Sequence, residues 1–306
     1  MSDPRGGSAA HEDGSVGMRF HEFARDLRGA WPGRRGLVVL RTPESTHRLG
    51  RTAARDYADD GATPPSADLI AWSQMGGTGR LERPWHSPPG GLYVTLVRPA
   101  PALPVQLLPL AAAVLLGDEV DRLLSAGAVR CRLKWPNDLV IDGRKVGGLL
   151  IDVNSARRRA QLPAIVVLSF GLNVAGDPSA FDAALESGRA TTLSAHGVET
   201  PASRLCWRLI TALDRLFDGN FDGDAVGEDV VDQDAVDEND LLARYRRLSL
   251  HQDGDRLVVH GADGSVAGRF RGFTAGGFLR LEVDGTERLV AAGEIDLPSP
   301  DAEDEA

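Results

Sequence analysis

Lys134-Trp135-Pro136-Asn137-Asp138-Leu139-Val140-Ile141-Asp142-Gly143-Arg144-Lys145 is the stretch that organises this chain. It holds both lysines of the protein; of 34 basic residues the other 32 are arginine. Lysine is a compact, mobile point charge with three donors, whereas arginine is a planar fork. A chain that otherwise uses arginine has kept its two ammonium groups beside an Asn-Asp pair. The apolar run 139–141, the Asp142-Gly143 turn and the apolar run 146–153 read as a β-hairpin. Pro136 fixes the exit from a preceding strand over 129–135. Asn137 and Asp138 stand at that strand end, Lys145 lies across the hairpin, and Gly147-Gly148 permits close backbone approach. An amide, a carboxylate and an ammonium at one place suit chemistry in which phosphate charge is held and rearranged. The plainer alternative makes Asp138 a turn former and Lys145 part of a solvated face.

Outward from this hairpin the pattern alternates between strands and helices. Residues 37–40 form a short strand, and the Ser45-Thr46 segment supplies N-cap chemistry for a helix over 46–59. Strands follow over 69–72 and 91–97, a buried helix over 105–124, a strand over 165–174 and helices over 202–217 and 241–248. After residue 249 the texture changes to short, closely spaced strands, the pattern of a small β-barrel. The expected fold is therefore α/β (α+β): a mixed central sheet with helices mainly on one face, then a small C-terminal barrel. The expected domains are a largely disordered tail over 1–36, within which 18–29 could form a short helix ended by Trp31-Pro32-Gly33, a main domain over 37–248, a small domain over 249–298 and an acidic tail over 299–306. Residues 218–240 read as a solvated acidic loop.

Composition narrows the classes. The chain has 306 residues and a net charge of −10, which disfavours nucleic acid as a partner. No apolar run approaches the ~20 residues needed to cross a bilayer, and the N-terminus is not patterned as a secretory signal. Cys131 and Cys206 lack metal-ligand spacing and read as reduced thiols. A cytoplasmic protein without membrane partners or a bound metal is expected.

A second constellation is the Gly-rich segment between two strands, Gln74 to Trp85. Its glycines let backbone N–H groups approach a polar ligand, and Arg80 and Arg83 add positive charge. It is neither a P-loop nor a dinucleotide fingerprint.

Ser45-Thr46, then Gln74, Gly77, Arg80, Arg83 and Trp85, then Lys134-Trp135-Pro136-Asn137-Asp138, Lys145, Gly148 and Gly171-Leu172-Asn173 follow one another in an order that resembles the biotin protein ligase family. The end of the chain, Gly293-Glu294-Ile295-Asp296, resembles that family's SH3-like C-terminal domain. The segment ahead of the match is too short for a helix-turn-helix module, so the monofunctional type of the family is expected. It implies a biotin/lipoyl ligase-like fold and a ligase forming a C–N bond. Biotin and MgATP would give biotinyl-5′-AMP, and the biotinyl group would pass to a lysine on the biotin carboxyl-carrier domain of a carboxylase. A homodimer is left open. By the same resemblance Ser45, Thr46, Gln74 and Gly77 would hold the biotin ring. Arg80 would sit in the loop that folds over biotin and adenylate, with Arg83 and Trp85 in the same segment. Lys145 would contact the biotin carboxylate and the α-phosphate. Asn137 and Asp138 would line the nucleotide side beside Lys134, and Asp138 is a candidate for helping deprotonate the acceptor lysine. Gly147, Gly148 and Asn173 would complete the walls.

The chain departs from the family pattern at Thr78 (commonly Arg), Glu82 (commonly Gly) and His47 (commonly Asn), and it has no Trp near Ala190 to cover an adenine. These changes bear on how tightly the adenylate is retained. Two alternatives follow: a lipoate- or octanoate-type ligase, and a degenerate paralogue that binds biotin without turnover.

Overall fold

The computed structural model describes residues 20–31, 36–60, 64–124, 129–154, 163–184, 189–218, 238–261 and 264–296. The acidic segment lies outside the described residues over 219–237, as do residues 1–19 and the acidic tail.

In chain order, α1 (Phe20–Gly29) precedes β1 (Gly36–Leu40), and α2 (Thr46–Asp60) leads to β2 (Ala67–Ala71) and β3 (Gly91–Pro99). Helix α3 (Leu108–Leu123) feeds four strands: β4 (Cys131–Lys134), β5 (Asp138–Ile141), β6 (Arg144–Asn154) and β7 (Ile165–Asn173). These seven strands form one sheet in the order β1-β2-β3-β7-β6-β5-β4. Only β1 and β2 pair in parallel, with α2 as their crossover; the other neighbours are antiparallel, so the sheet is mixed.

The two faces of the sheet are buried differently. Leu92, Val94 and Leu96 of β3 join Val166 and Leu168 of β7 in a large core with α1, α3, α4 (Ala202–Asp218) and α5 (Glu238–Leu248). The alternate residues Val97, Ile165 and Val167 pack on Ala54 and Tyr57 of α2 on the opposite face. Gly50 is where that helix meets the sheet: a Cβ there would lie 2.8 Å from both Thr95 Cγ2 and Val167 Cγ1. Helix α3 is apolar nearly all round because α4 and α5 cover the side turned away from the sheet.

The hairpin follows its sequence. Asp142 and Gly143 take φ of 51° and 68°, as a two-residue turn matched to strand twist requires. The strand before it is shorter than 129–135, ending at Lys134 so that Trp135-Pro136-Asn137 can turn the chain back. Cys131 and Cys206 are buried free thiols.

One reading needs correction. The stretch assigned to an N-terminal tail contains α1, whose Phe23, Ala24 and Leu27 are buried. Phe23 meets Trp72 at 5.2 Å between ring centroids, and Trp207 Nε1 donates to Leu27 O at 3.2 Å. Helix α5 also begins three residues earlier than expected.

The C-terminal strands β8 (Arg256–Gly261), β9 (Gly264–Phe273), β10 (Leu279–Val283), β11 (Thr286–Val290) and β12 (Glu294–Ile295) form a separate antiparallel sheet ordered β11-β10-β9-β8-β12. Its Phe270, Phe273, Leu279 and Leu281 belong to the same apolar cluster as the main domain. β12 is thereby held beside the larger sheet, where Lys134 Nζ of β4 donates to Ile295 O.

Candidate active site

Three parts of the chain wall one cavity with about 1170 Å³ of space open to solvent: the start of α2, the loop between β2 and β3, and the β4–β7 strands. The residues singled out from the sequence all line it except Gly77 and Gly147, which lie directly behind the wall.

Ser45 begins α2, its Oγ accepting from Arg48 N at 3.4 Å. Thr46 N and Oγ1 both donate to Gln74 Oε1, at 2.8 and 3.1 Å, and Gln74 Nε2 donates to Ser87 Oγ at 2.9 Å. Gln74 therefore fixes the helix start to the loop. Gly77 lets the loop close on itself: Trp85 N donates to Gly77 O at 2.8 Å, and a Cβ on Gly77 would fall 2.4 Å from Trp85 O.

Two arginines tie this loop to the C-terminal sheet. Arg80 Nη1 donates to Gly293 O at 2.9 Å, and Arg83 forms an ion pair with Glu294. Lys134 Nζ donates to Ile295 O at 2.7 Å. Three cations of the cavity thus meet one tripeptide, Gly293-Glu294-Ile295. Between the two arginines, Leu81 and Glu82 take φ of 54° and 57°, a left-handed conformation disfavoured for residues with a Cβ.

The charge centre is Asp138. Its Oδ1 lies 2.8 Å from Lys145 Nζ and its Oδ2 lies 3.1 Å from Lys134 Nζ. The register Lys134↔Asp138↔Gly148 across β4, β5 and β6 produces this arrangement. Burial alone would raise the Asp138 pKa, but the two ammonium groups outweigh it and hold the carboxyl below its ordinary range. Lys145 Nζ also lies 5.0 Å from the centroid of the Trp85 ring, a cation–π distance. Burial lowers the Arg80 pKa, against the opposing charges of Asp138 and Glu294. Four cations (Arg80, Arg83, Lys134, Lys145) and two carboxylates line the cavity, so its charged side chains favour an anion.

The glycines make room for the indole. A Cβ on Gly171 would come within 2.5 Å of Trp85 Nε1, and one on Gly148 within 3.6 Å of Trp85 Cζ3 and 3.2 Å of Asp138 Oδ1. Gly147 packs against Gly171 O, where a Cβ would sit at 2.8 Å. Asn137 Nδ2 donates to Leu149 O at 2.5 Å, and Asn173 Nδ2 to Thr191 O at 3.1 Å. The Ala190 segment is bound to the lysine strand, Lys145 N donating to Arg189 O at 2.8 Å and Thr191 N to Lys145 O at 2.9 Å.

Ser169, Phe181, Glu294 and, as a wall residue, His47 are among the lining residues that sequence reasoning did not assign to the site. Phe181 had a legible signal, being the sole aromatic between Asn173 and Trp207. The other three declare themselves only through long-range partners.

Residues 59–169 match the biotin/lipoate A/B protein ligase family. The chain is 31% identical over 277 residues to a biotin–[acetyl-CoA-carboxylase] ligase of Mycobacterium tuberculosis, covering 88% of this chain and 91% of that protein. It is 37% identical over 134 residues to the enzyme of that name from Paracoccus denitrificans, covering 43% and 53% of the two proteins. Against the bifunctional ligase/repressor BirA of Bacillus subtilis it is 30% identical over 159 residues, 52% of this chain and 46% of the relative. The chain thus spans about half the length of those latter two relatives. A structure of the biotin protein ligase from Aquifex aeolicus in complex with biotin and ATP superposes with a TM-score of 0.60 at 20% identity, covering 86% and 98% of the two chains, a likeness of fold. With the full-length similarity to the mycobacterial protein, these findings establish that the chain belongs to the biotin protein ligase family.

Proposed function

We propose that this protein activates biotin with ATP and transfers it to a lysine on the biotin carboxyl-carrier domain of an acyl-CoA carboxylase. The observation that carries this reading is the placement of Lys145 between the Asp138 carboxylate and the Trp85 ring, at the mouth of a cationic cavity.

In the first half-reaction a biotin carboxylate oxygen attacks the α-phosphorus of ATP, and pyrophosphate leaves. Two anions must approach each other, so the barrier falls if fixed cations offset their charge. In this reading Lys145 touches both the carboxylate and the α-phosphate, and Arg80 covers them from the loop. Asp138 holds Lys145 and Lys134 in position. Mg²⁺ enters as part of the MgATP substrate, held by the phosphates; the described residues contain no group of three or more His, Cys, Asp or Glu able to hold a metal ion.

In the second half-reaction the acceptor amine attacks the acyl carbon, AMP leaves and the amine loses its proton. The lowered Asp138 pKa makes that carboxylate a weak base. Asp138 therefore contributes mainly through the field it sets around the two lysines. Phe181 supplies an aromatic surface for the adenine in place of a Trp near Ala190. Among the described residues no helix is long and apolar enough to cross a membrane, and we place the reaction in the cytoplasm, where a carboxylase would meet it.

The direct test is incorporation of labelled biotin into a purified carrier domain, with MgATP and catalytic amounts of this protein. Stoichiometric labelling of one acceptor lysine is expected. Binding of biotin without any transfer would leave the non-catalytic reading.

A further inference from the structure

The inner wall of the cavity carries a hydrogen-bond chain that none of the roles above uses. His47 stands on the first turn of α2, directly after Thr46, and is buried. Its Nδ1 lies 2.7 Å from Ser169 Oγ on β7, and its Nε2 lies 3.2 Å from Asp152 Oδ2 on β6. Ser169 Oγ is also 2.7 Å from Thr95 Oγ1 on β3, and Arg51 Nε is 3.1 Å from Asp152 Oδ2. Five residues from four elements form one line, from the buried centre of the sheet to the surface. His47 and Ser169 line the cavity.

The direction of the chain follows from its ends. The hydrogen bond from His47 holds the Asp152 carboxyl below its ordinary range, outweighing burial, with the Arg51 charge acting in the same direction. An ionised carboxylate only accepts, so Nε2 carries a hydrogen; in the tautomer with its hydrogen on Nε2 alone, Nδ1 accepts. Ser169 then donates to His47, and Thr95 donates to Ser169. One acceptor position remains on Ser169 Oγ, strengthened by the donation it makes. Gln74, by contrast, has its carbonyl taken twice by Thr46 and its amide bonded to Ser87.

We propose that Ser169 is a ligand-binding and specificity-determining residue, oriented by His47 and Asp152, whose hydroxyl accepts a hydrogen bond from an N–H donor on the ring of the acid substrate. A cyclic urea such as that of biotin has such donors; the ring of lipoate and the chain of octanoate have none. The inference rests on the function proposed above and extends it: discrimination at this wall comes from an oriented hydroxyl in addition to the Ser45–Thr46–Gln74 side. His47 is a positioning residue, acting through Ser169.

The test is calorimetric titration of the full chain with biotin, without ATP, for the unsubstituted protein and for Ser169→Ala, His47→Ala, the double variant and His47→Asn. Loss of one hydrogen bond of this kind predicts about tenfold weaker binding for Ser169→Ala. His47→Ala should fall similarly, and the double variant should be no weaker than the weaker single one, because the two act as one unit. His47→Asn, whose amide both donates and accepts, should recover most of the affinity. The KM for ATP in pyrophosphate exchange should not move, which a general structural defect would not spare. Where Ser169→Ala fails to fold, Asp152→Asn on the solvent side of His47 serves instead and should weaken biotin about threefold. Unchanged biotin affinity in Ser169→Ala, or losses that multiply in the double variant, would overturn the inference while leaving the ligase reading intact. An unsubstituted protein that binds no biotin would overturn both.

Discussion

Asp138 Oδ1 lies 2.8 Å from Lys145 Nζ, and the same carboxylate holds Lys134 on its other oxygen. The two ammonium groups differ in what they can do. Lys134 is 4% exposed and is also bound to Ile295 O, so it is a fixed internal charge. Lys145 stands at the cavity with its side chain 15% exposed, and can exchange Asp138 for a ligand oxygen.

Substitution should separate these roles. Lys145→Ala should keep the fold and lose roughly 10²–10³ in biotin-dependent pyrophosphate exchange, the usual effect of removing one charge-stabilising donor. Asp138→Asn leaves a buried ammonium without its counter-charge and should destabilise the protein by roughly 3 kcal/mol. Chemical denaturation of both variants, beside the exchange rate, checks the distinction.

The binding loop holds Glu82 in a left-handed conformation next to Leu81 in another. Glu82→Gly removes that strain and a negative charge from the segment proposed above to fold over the adenylate. It should stabilise the protein by up to about 1 kcal/mol and slow the release of biotinyl-AMP. A stopped-flow measurement of the release rate decides it; an unchanged rate would mean that the loop is held by Arg80–Gly293 and Arg83–Glu294 alone.

Gly171 is the floor on which the Trp85 indole lies, with 2.5 Å between Trp85 Nε1 and a notional Cβ. Gly171→Ala should displace the ring, and with it the partner 5.0 Å from Lys145. Biotin affinity should fall at least about tenfold, with a change in tryptophan emission in the ligand-free protein.

His251 predicts the acid limb of stability. It is buried edge-on to Phe270, with burial as the first cause and the Lys134 charge as the second lowering its pKa to about 4, against the pull of Asp255. An unfolded histidine titrates near pH 6.5. Between these values the unfolded chain binds a proton that the folded chain does not, so stability falls as pH drops from about 6.5 to 4, by up to about 3 kcal/mol. His196, its pKa also lowered by burial, contributes with the same sign. Asp138, whose carboxyl is held low, contributes stability that is lost only as pH falls below the ordinary carboxylate range. His251→Gln should flatten the upper window in a pH series of denaturation curves.

Local chemistry made much of this protein readable. The hairpin was legible because Asp142-Gly143 has one good turn geometry, and α2 because Ser45 stands at its start. The residues of the lysine hairpin were legible because Asp138 meets Lys134 and Gly148 through strand register, which sequence spacing dictates. The clamp of Gly293-Glu294-Ile295 on Arg80, Arg83 and Lys134 was not legible. It joins segments up to 213 residues apart, and nothing in either segment names the other. The His47–Ser169 contact, 122 residues apart, was hidden for the same reason. Helix α1 was legible as a short helix over 18–29; what the sequence did not declare is that its Phe23, Ala24 and Leu27 are buried.

The measurement that tests the central claim most directly is ATP–pyrophosphate exchange with the purified full chain and Mg²⁺, comparing biotin, lipoate, octanoate and no acid. Exchange with biotin alone is expected, falling by roughly 10²–10³ in Lys145→Ala. Exchange driven by lipoate or octanoate, or none with any acid in a folded protein that still binds biotin, would contradict it.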